Sequence, residues 1–434
     1  MKTVLSAKFN VCWHMAEAVA KSRKAINEPA IQFSVDGNGE AVLIGCTEKD
    51  EAYIEVHLPK DAVEPTEPGS ALLPTDRIGA FLDRLFAMNM PVSLNTNDAT
   101  QKGTIKAGSS RFGFTVADAE KTPRKPSVED SKLVFKAGID EFFRCAKFGG
   151  IASDTKEKFP EYVCLEMFDV KDNGTVSVVS TDGKRLSLSD FKVTDSVGGE
   201  KFLIHVDSIS LLNRLYSMIA PLMKSEGIPQ EIEIWKTERS VIFKSAFVDF
   251  YVSYSTTNFP KFASLLQFDP VTTMKVDRKE LISCIQRANI MLNATADVGS
   301  KRALLLETNA DSNVLTIRTK NVNVGESNDA MDCEAEGQNI AVGFQPAYLL
   351  DGLESIPDKT VEFKFNGPEG ACLICPAGEP VGEAADGTEA EKERSSGFVY
   401  LVMPVKKATM TVKSEFDAVP EVSTEEKNSP DVSE

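Results

Sequence analysis

Residues 178–191 read VVSTDGKRLSLSDF, two apolar-rich runs separated by a short polar segment. Asp182-Gly183 is a strong two-residue turn signal, because both positions of such a turn tolerate positive φ. The run after the turn alternates polar and apolar residues, as a half-buried strand requires. The stretch therefore predicts a β-hairpin. A second interpretation is that Asp182, Lys184 and Arg185 bind a ligand or perform chemistry, and the rest of the chain must decide between the two.

Amphipathic helical windows recur along the chain with starts spaced by about 65–70 residues, which predicts six half-repeats and three full units of about 135–140 residues. Several windows begin with an N-capping Asp or Thr. The six windows are 8–22, 75–88, 138–149, 206–219, 277–292 and 346–356.

Between these windows lie short alternating stretches that predict hairpins, with turns at Gly37-Asn38, Asn173-Gly174 and Asp311-Ser312. Each half-repeat is thus one helix followed by several antiparallel strands. The fold class predicted is α+β, with two helices packed on antiparallel sheet in each of three tandem domains. The expected divisions are 1–128, 129–268 and 269–410, with an acidic disordered insert at 377–396 and an acidic disordered tail at 411–434.

The chain has 434 residues, 42% hydrophobic and 26% charged, with a formal net charge of −17. Such a charge argues against nucleic acid at first sight. However, residues 377–396 and 412–434 carry roughly −4 and −5 of it by direct count. What remains is mildly acidic and can carry a local basic surface. With no apolar run of bilayer length and no signal-peptide core in the first residues, we expect a cytoplasmic protein without membrane contact.

Metal and cofactor chemistry find little support in the sequence. Cys372 and Cys375 form a C-x-x-C pair, but no second Cys or His pair accompanies them, and we interpret them as buried strand cysteines. Asp169, Asp172 and Asn173 resemble the start of a calcium loop, although the later ligands are missing and a hairpin explains them better. No cofactor and no metal are expected.

Enzymatic interpretations are weak as well. There is no G-x-x-x-x-G-K-[ST] loop, and His14, His57 and His205 are far apart with no evident paired nucleophile. The alternative that stays open is a hydrolase or phosphotransferase using Asp182 with Lys184 or Arg185. A dimer without turnover of ATP or phosphoesters would exclude it.

Four motifs in order make the chain resemble the bacterial DNA polymerase III β subunit family, the sliding clamps. Residues 181–186 are similar to the family's Thr-Asp-Gly-His-Arg-Leu run, with Lys184 in place of His. Residues 259–262 (FPKF) resemble its Phe-Pro-Asp-Tyr segment, and 343–356 its third-domain helix start, with Gln345 in place of Asn. Residues 400–406 (YLVMPVK) resemble its C-terminal Tyr-Val-Val-Met-Pro-Met-Arg. The resemblance covers residues 1 to about 407.

The resemblance implies a head-to-tail dimeric ring of DNA-clamp domains, with helices lining a hole through which duplex DNA passes. The protein is then a non-catalytic processivity factor. A basic interior contacts phosphates without reading bases. The residues expected to face DNA are Lys21, Arg23, Lys24, Arg144, Lys147, Lys156 and Lys158. For any one of them, a solvated helix surface is the simpler explanation.

The resemblance also implies a cleft between domains two and three that binds short linear peptides of the polymerase, the clamp loader and other clamp-binding proteins. Apolar side chains with Met suit varied partners, and Gly183 lets a peptide approach the backbone. The implied cleft residues are Val163, Thr181, Gly183, Lys184, Arg185, Leu186, Pro260, Leu265, Gln345, Tyr348, Leu401, Val402, Met403 and Pro404. Lys184, Ser264 and Gln345 depart from the family pattern, so partner preference is expected to differ.

Ring closure in the family joins domain one of one chain to domain three of the next, partly by pairing of edge strands. The matching segments here contain Phe112 and Phe114, which alternate on one strand face, and Ile290 and Met291 at a helix end. A twofold homodimer with two such contacts is expected. About 28 residues follow Lys406, and Met410, Val412 and Phe416 in them could compete weakly with incoming peptides.

Overall fold

The computed structural model describes residues 1–22, 29–47, 51–97, 99–117, 122–156, 159–193, 195–293, 303–321, 325–377 and 397–405. These residues form six α-helices, all within the windows that the sequence predicts or extending them. They are α1 (Ala7–Ala20), α2 (Thr75–Phe86), α3 (Ile139–Gly149), α4 (Val206–Ser225), α5 (Arg278–Asn293) and α6 (Pro346–Ser355).

The strands are short and every pairing described between them is antiparallel, which confirms the α+β class. The strands before α4 are β1 (Lys2–Leu5), β2 (Ala30–Val35), β3 (Ala41–Cys46), β4 (Ala52–His57), β5 (Val63–Glu67), β6 (Gly69–Pro74), β7 (Val92–Asn97), β8 (Lys102–Ala107), β9 (Ser110–Thr115), β10 (Lys132–Gly138), β11 (Leu165–Val170), β12 (Thr175–Thr181), β13 (Arg185–Lys192) and β14 (Glu200–His205). Those after it are β15 (Glu231–Lys236), β16 (Ser240–Lys244), β17 (Val248–Ser253), β18 (Thr272–Asp277), β19 (Leu304–Asn309), β20 (Val314–Asn321), β21 (Gly325–Asp332), β22 (Glu334–Gly337), β23 (Ile340–Phe344), β24 (Thr360–Phe365), β25 (Cys372–Pro376) and β26 (Phe398–Val402).

The three predicted hairpins and the hairpin of the 178–191 stretch are confirmed. They are β2–β3, β11–β12, β19–β20 and β12–β13. Each helix is followed along the chain by at least three strands, as the half-repeat pattern predicts. The sequence predicts that the fourth helix ends at residue 219, whereas α4 ends at Ser225. The difference arises because Pro221 lies inside the helix and the helix continues past it.

The chain separates into two compact units. Unit 1 comprises Met1–Lys261 with Ser396–Phe398, and unit 2 comprises Phe262–Ser395 with Val399–Glu434. The expected division into three domains stays a prediction. In unit 1 the strand orders are β5-β1-β7-β8-β9, β10-β15-β16-β17-β4-β3-β2-β6 and β14-β11-β12-β13. In unit 2 they are β26-β25-β24-β18-β22 and β21-β20-β19-β23.

Unit 1 has one continuous hydrophobic core beneath its four helices. Trp13 of α1 is fully buried, and Phe142 of α3 packs between Phe135 and Phe168, with ring centroids 6.5 and 5.9 Å apart. Burying side chains of this size contributes about 2–3 kcal/mol each. Because the helices cover one face of the sheets, their other sides are free to carry charge.

In unit 2, α5 packs on β20 and β21, and α6 packs on α5. Leu281 and Ile285 of α5 and Leu349 of α6 are fully buried. Cys372 and Cys375 are both buried on β25, which confirms their interpretation as strand cysteines. No described helix is both long and apolar enough to span a membrane.

Candidate functional site

The turn at 181–185 is held by its own side chains. Asp182 Oδ1 accepts hydrogen bonds from the backbone N–H groups of Lys184 (2.9 Å) and Arg185 (3.0 Å), and Oδ2 accepts from Arg185 Nε (3.0 Å). Thr181 Oγ1 donates to Arg185 O (2.7 Å) and accepts from Gly183 N (3.1 Å). Gly183 has φ of +80°, a conformation that glycine adopts without strain.

These contacts distinguish the structural interpretation of Asp182 and Arg185 from the catalytic one. The Asp182 and Arg185 side chains are only 5% and 9% exposed, so they form a buried structural ion pair. Gly183 and Lys184 are the exposed residues of the turn. A catalytic carboxylate would need to contact a substrate, whereas both oxygens of Asp182 accept hydrogen bonds from within the turn. The hydrolase or phosphotransferase alternative is therefore not supported.

Next to the turn in unit 1 lies a short 3₁₀ helix, Glu161–Cys164, that carries Val163. The Tyr162 ring meets Phe259 edge-on, with centroids 6.3 Å apart, and Glu161 Oε1 accepts a hydrogen bond from Ser255 Oγ (2.7 Å). This region thus brings the expected cleft residues of unit 1 together around the turn, with Val163, Thr181 and Leu186 buried and Pro260 half-buried.

A second group consists of the expected cleft residues of unit 2, which lie on or after β26, on or before α6 and, for Leu265, in the short 3₁₀ helix Ala263–Leu265. Tyr400 of β26 donates a hydrogen bond from its hydroxyl to Tyr348 O of α6 (2.9 Å), and Val405 N donates to Gly343 O (2.8 Å). Leu401 and Val402 are buried in the strand. Met403 and Leu265 are 36% and 47% exposed, so they provide the accessible apolar surface of this group. Gln345, Tyr348 and Pro404 are half-buried.

The described DNA-facing candidates lie on α3 or in the segments that follow α1 and α3. Arg144 and Lys147 are one turn apart on the outer side of α3, and the Arg144 guanidinium lies 5.8 Å from the centroid of the Phe148 ring. Lys21 follows α1 and contacts Glu17 Oε1 at 2.8 Å. Lys156 is exposed after α3. The candidates Arg23, Lys24 and Lys158 lie outside the described residues.

Sequence reasoning missed further basic residues on the exposed sides of α2 and α4. Arg77 and Arg84 project from α2, and Arg214 and Lys224 from α4. The sequence could have identified all of them but Lys224. These three residues fall within windows predicted to be helical, and the 3.6-residue period places them on the polar face of the helix.

The expected interface residues lie at sheet edges and on a helix surface. β9 ends the five-stranded sheet of unit 1, and on it Phe112 packs on Phe81 (4.7 Å between centroids) and beside Phe114 (6.2 Å). In unit 2, β21 ends its four-stranded sheet. Ile290 on α5 is 67% exposed, a large apolar side chain in solvent, and Met291 beside it is half-buried.

The thiols and the one potential metal cluster of the described residues do not form a reactive site. Burial raises the pKa of the Cys12 thiol to about 12, which disfavours the nucleophilic thiolate. Glu55, His57 and Asp249 place ligand atoms within 4.8 Å of one another. However, Lys125 Nζ lies 2.7 Å from Glu55 Oε2 and Lys244 Nζ 3.4 Å from Asp249 Oδ2, so each carboxylate already has a cationic partner.

Comparison with known proteins relates this arrangement to one family. A family model for the C-terminal domain of the DNA polymerase III β subunit matches residues 264–383. The β sliding clamps of Staphylococcus aureus and Synechococcus elongatus are each 22% identical to this chain, over 346 and 349 residues. These alignments cover 78% and 80% of this chain and 86% and 84% of the relatives.

Solved structures share the fold over nearly the whole chain. The DNA polymerase sliding clamp from Bacillus subtilis superposes with a TM-score of 0.77 at 20% identity, and the DNA polymerase III subunit β from Pseudomonas aeruginosa with 0.76 at 21%. Each covers 93% of this chain and 99% of that structure's chain. The matched C-terminal domain, the curated relatives and the shared fold all indicate the bacterial DNA polymerase III β subunit, or β sliding clamp, family.

Proposed function

We propose that the protein is a DNA sliding clamp, a non-catalytic processivity factor that encircles duplex DNA in the bacterial cytoplasm and tethers the replicative polymerase. The observation that carries the proposal is the similarity to β sliding clamps in sequence and fold, combined with basic side chains on helix surfaces in a chain that is acidic overall. Arg77, Arg84, Lys147 and Arg214 are exposed residues of this kind, and Arg144 is half-buried. They suit contact with phosphates, which requires positive charge but no base readout.

Binding that depends on topology predicts a behaviour that ordinary DNA-binding proteins lack. The clamp should be loaded onto closed circular DNA by its ATP-driven loader, remain there through a salt wash, and leave when the circle is cut by a restriction enzyme. Affinity for short linear duplexes should be weak and should fall steeply with salt. Equal retention on circular and linear DNA after the wash would contradict the proposal.

For tethering, the proposal assigns peptide binding to the two groups described above, the turn region of unit 1 and the β26 region of unit 2. Exposed Leu265 and Met403 provide apolar surface, and Lys184 and Gly183 provide an exposed polar turn. Met adapts to different partner side chains because its unbranched chain is flexible. The expected ligands are short linear segments of the polymerase α subunit, the clamp loader and other clamp-binding proteins.

Truncation of the exposed apolar residues tests this assignment. Leu265→Ala and Met403→Ala should each weaken binding of a labelled Gln-Leu-x-Leu-Phe type peptide by about tenfold, because truncating a contributing interface residue costs more than about 1 kcal/mol. Val271→Ala is the matched control, since Val271 is 37% exposed on the same unit and outside the assigned group. If all three variants bind alike, the unit 2 residues are not part of the peptide site.

The proposal includes a homodimeric ring of three-domain chains. The edge strand β9 presents exposed Arg111, with exposed Lys106 on its neighbour β8. The edge strand β21 presents exposed Glu326 and Asp332. Pairing these edges between two copies would join unpaired backbone groups and opposite charges, and head-to-tail repetition would close a twofold ring. Sedimentation of the protein at micromolar concentration tests the dimer.

A further inference from the structure

His14 occupies a position between two carboxylates on different helices. Its Nδ1 lies 2.9 Å from Glu17 Oε2 on α1, and its Nε2 lies 2.8 Å from Asp83 Oδ1 on α2. Ionised carboxylates only accept hydrogen bonds, and only the doubly protonated imidazolium donates from both ring nitrogens. The geometry therefore fits a positively charged His14 that bridges α1 and α2.

The close approach of α1 and α2 at this bridge depends on a glycine. Gly79 on α2 has no side chain, and a Cβ there would lie 2.9 Å from both carboxylate oxygens of Glu17. The absence of that atom lets the Glu17 carboxylate settle against α2, above the buried ring of Trp13. Asn10 Nδ2 donates to Asp83 Oδ1 at 2.7 Å, so Asp83 is held from a second position on α1.

The bridge continues to a residue expected to face DNA. Glu17 Oε1 accepts from Lys21 Nζ at 2.8 Å, and Lys21 also donates to Thr75 O at 3.1 Å. His14, Glu17 and Lys21 are thus consecutive along one side of α1. With His14 protonated, two positive groups balance the two carboxylates. With His14 neutral, the same four groups carry net negative charge beside the basic surface.

Other charged groups face this cluster from the neighbouring elements. A cavity of about 500 Å³ beside His14 is also lined by Asp207 and Arg214 of α4 and by Glu51 before β4. Arg84 of α2 acts on Asp83 from the same helix. Among these groups, His14 is the one whose charge changes near neutral pH.

We infer that His14 is a positioning residue for DNA retention: its imidazolium fastens α1 to α2, fixes Lys21 through Glu17, and keeps this surface from becoming negative. The DNA part of the inference rests on the proposed function. Retention should consequently weaken as the imidazolium loses its proton, while the basic residues of α2, α3 and α4 keep their charge.

The direction of the pH dependence follows from the contacts. The hydrogen bond to Glu17 and then that to Asp83 raise the pKa of His14 above its ordinary value, against the effect of burial. The bridge's contribution to stability is fully present below the unfolded-state value of about 6.5 and is lost as pH rises through the folded-state pKa.

The chain contains three histidines, which makes the experiment sharp. NMR titration of the imidazole C–H resonances, assigned with His14→Gln, His57→Gln and His205→Gln, should give His14 a midpoint above about 6.5. Anisotropy titrations of a labelled duplex at fixed low ionic strength, between pH 6 and pH 9, should show wild-type affinity falling about two- to fivefold more than that of His14→Gln. His57→Gln and His205→Gln should follow the wild type.

His14→Lys keeps a positive charge at pH 9 and should restore the high-pH affinity, which guards against a folding defect in the glutamine variant. A His14 midpoint at or below 6.5, or identical pH profiles for wild type and His14→Gln, would overturn the inference. If no variant binds the linear duplex at any pH, retention on loaded circular DNA tests the proposed DNA function separately, and the NMR midpoint still decides whether the bridge exists.

Discussion

Replacing Asp182 by Ala should loosen the β12–β13 hairpin by about 3 kcal/mol. The substitution removes two hydrogen bonds from backbone N–H groups and one from Arg185 Nε. Each hydrogen bond contributes about 1 kcal/mol net, and removing one partner of a buried ion pair costs about 3–5 kcal/mol. The three lost hydrogen bonds sum to about 3 kcal/mol, which agrees with the lower end of the cost of breaking the buried pair.

Hydrogen exchange of the backbone amides next to the turn measures this loosening directly. A loss of about 3 kcal/mol should accelerate exchange there by roughly a hundredfold, because 1.4 kcal/mol corresponds to a factor of ten. Asp182→Asn keeps an oxygen that can accept the two backbone hydrogen bonds and should show a smaller effect, about 1–2 kcal/mol. Both variants should also weaken peptide binding in that order, since the turn carries Gly183 and Lys184.

The chain offers a matched control in the β2–β3 hairpin. Asp36 Oδ1 accepts from the N–H groups of Asn38 (2.9 Å) and Glu40 (2.8 Å), the same kind of turn without a buried ion pair. With two such hydrogen bonds, Asp36→Ala should cost about 2 kcal/mol in its own hairpin, about 1 kcal/mol less than Asp182→Ala. Equal effects of the two alanine variants, or equal effects of Asp182→Ala and Asp182→Asn, would refute the role given to the buried ion pair.

Three further predictions concern assembly, pH and the C-terminal segment. Ile290→Ala combined with Met291→Lys should yield monomers in analytical ultracentrifugation, and an unchanged dimer would contradict the interface. Burial raises the pKa of Glu166, whose Oε2 has no hydrogen-bond partner among the described residues, so folding stability should fall as pH rises from the unfolded value of about 4.3 towards the folded one. Glu166→Gln should flatten that slope in urea unfolding between pH 5 and pH 8, and parallel slopes would contradict the assignment. Deleting residues 408–434, which lie outside the described residues, should tighten peptide binding a few-fold if they compete for the site; identical affinities, with Leu401→Ala abolishing binding in both, would make them a passive appendage.

Local structure could be predicted from the sequence because it depends on local signals. The six helices followed from apolar periodicity, and the hairpins followed from short turn sequences such as Asn173-Gly174. The end of α4 could not be predicted in this way, because a proline such as Pro221 usually marks the end of a helix. Here the helix continues past Pro221, and the buried side chains of Leu222 and Met223 stabilise its last turn.

Long-range structure could not be predicted in this way. β17 pairs with β4, bringing Asp249 opposite Glu55 although almost two hundred residues separate them, and no local pattern encodes such a partner. The resemblance identified the expected cleft residues by their positions in the sequence, but it did not predict which of them are accessible. Val163 and Leu401 are buried, whereas Leu265 and Met403 are exposed to solvent. The contact of His14 with Asp83 could not be predicted from the sequence either, because it forms only when α1 and α2 pack together.

Electron microscopy of the protein with a nicked circular DNA tests the central claim most directly. After loading, the account predicts particles of two chains that form a closed ring with a duplex passing through its centre, and the same rings without DNA in unloaded samples. Particles bound to the outside of the duplex, or compact particles with no central opening, would contradict it.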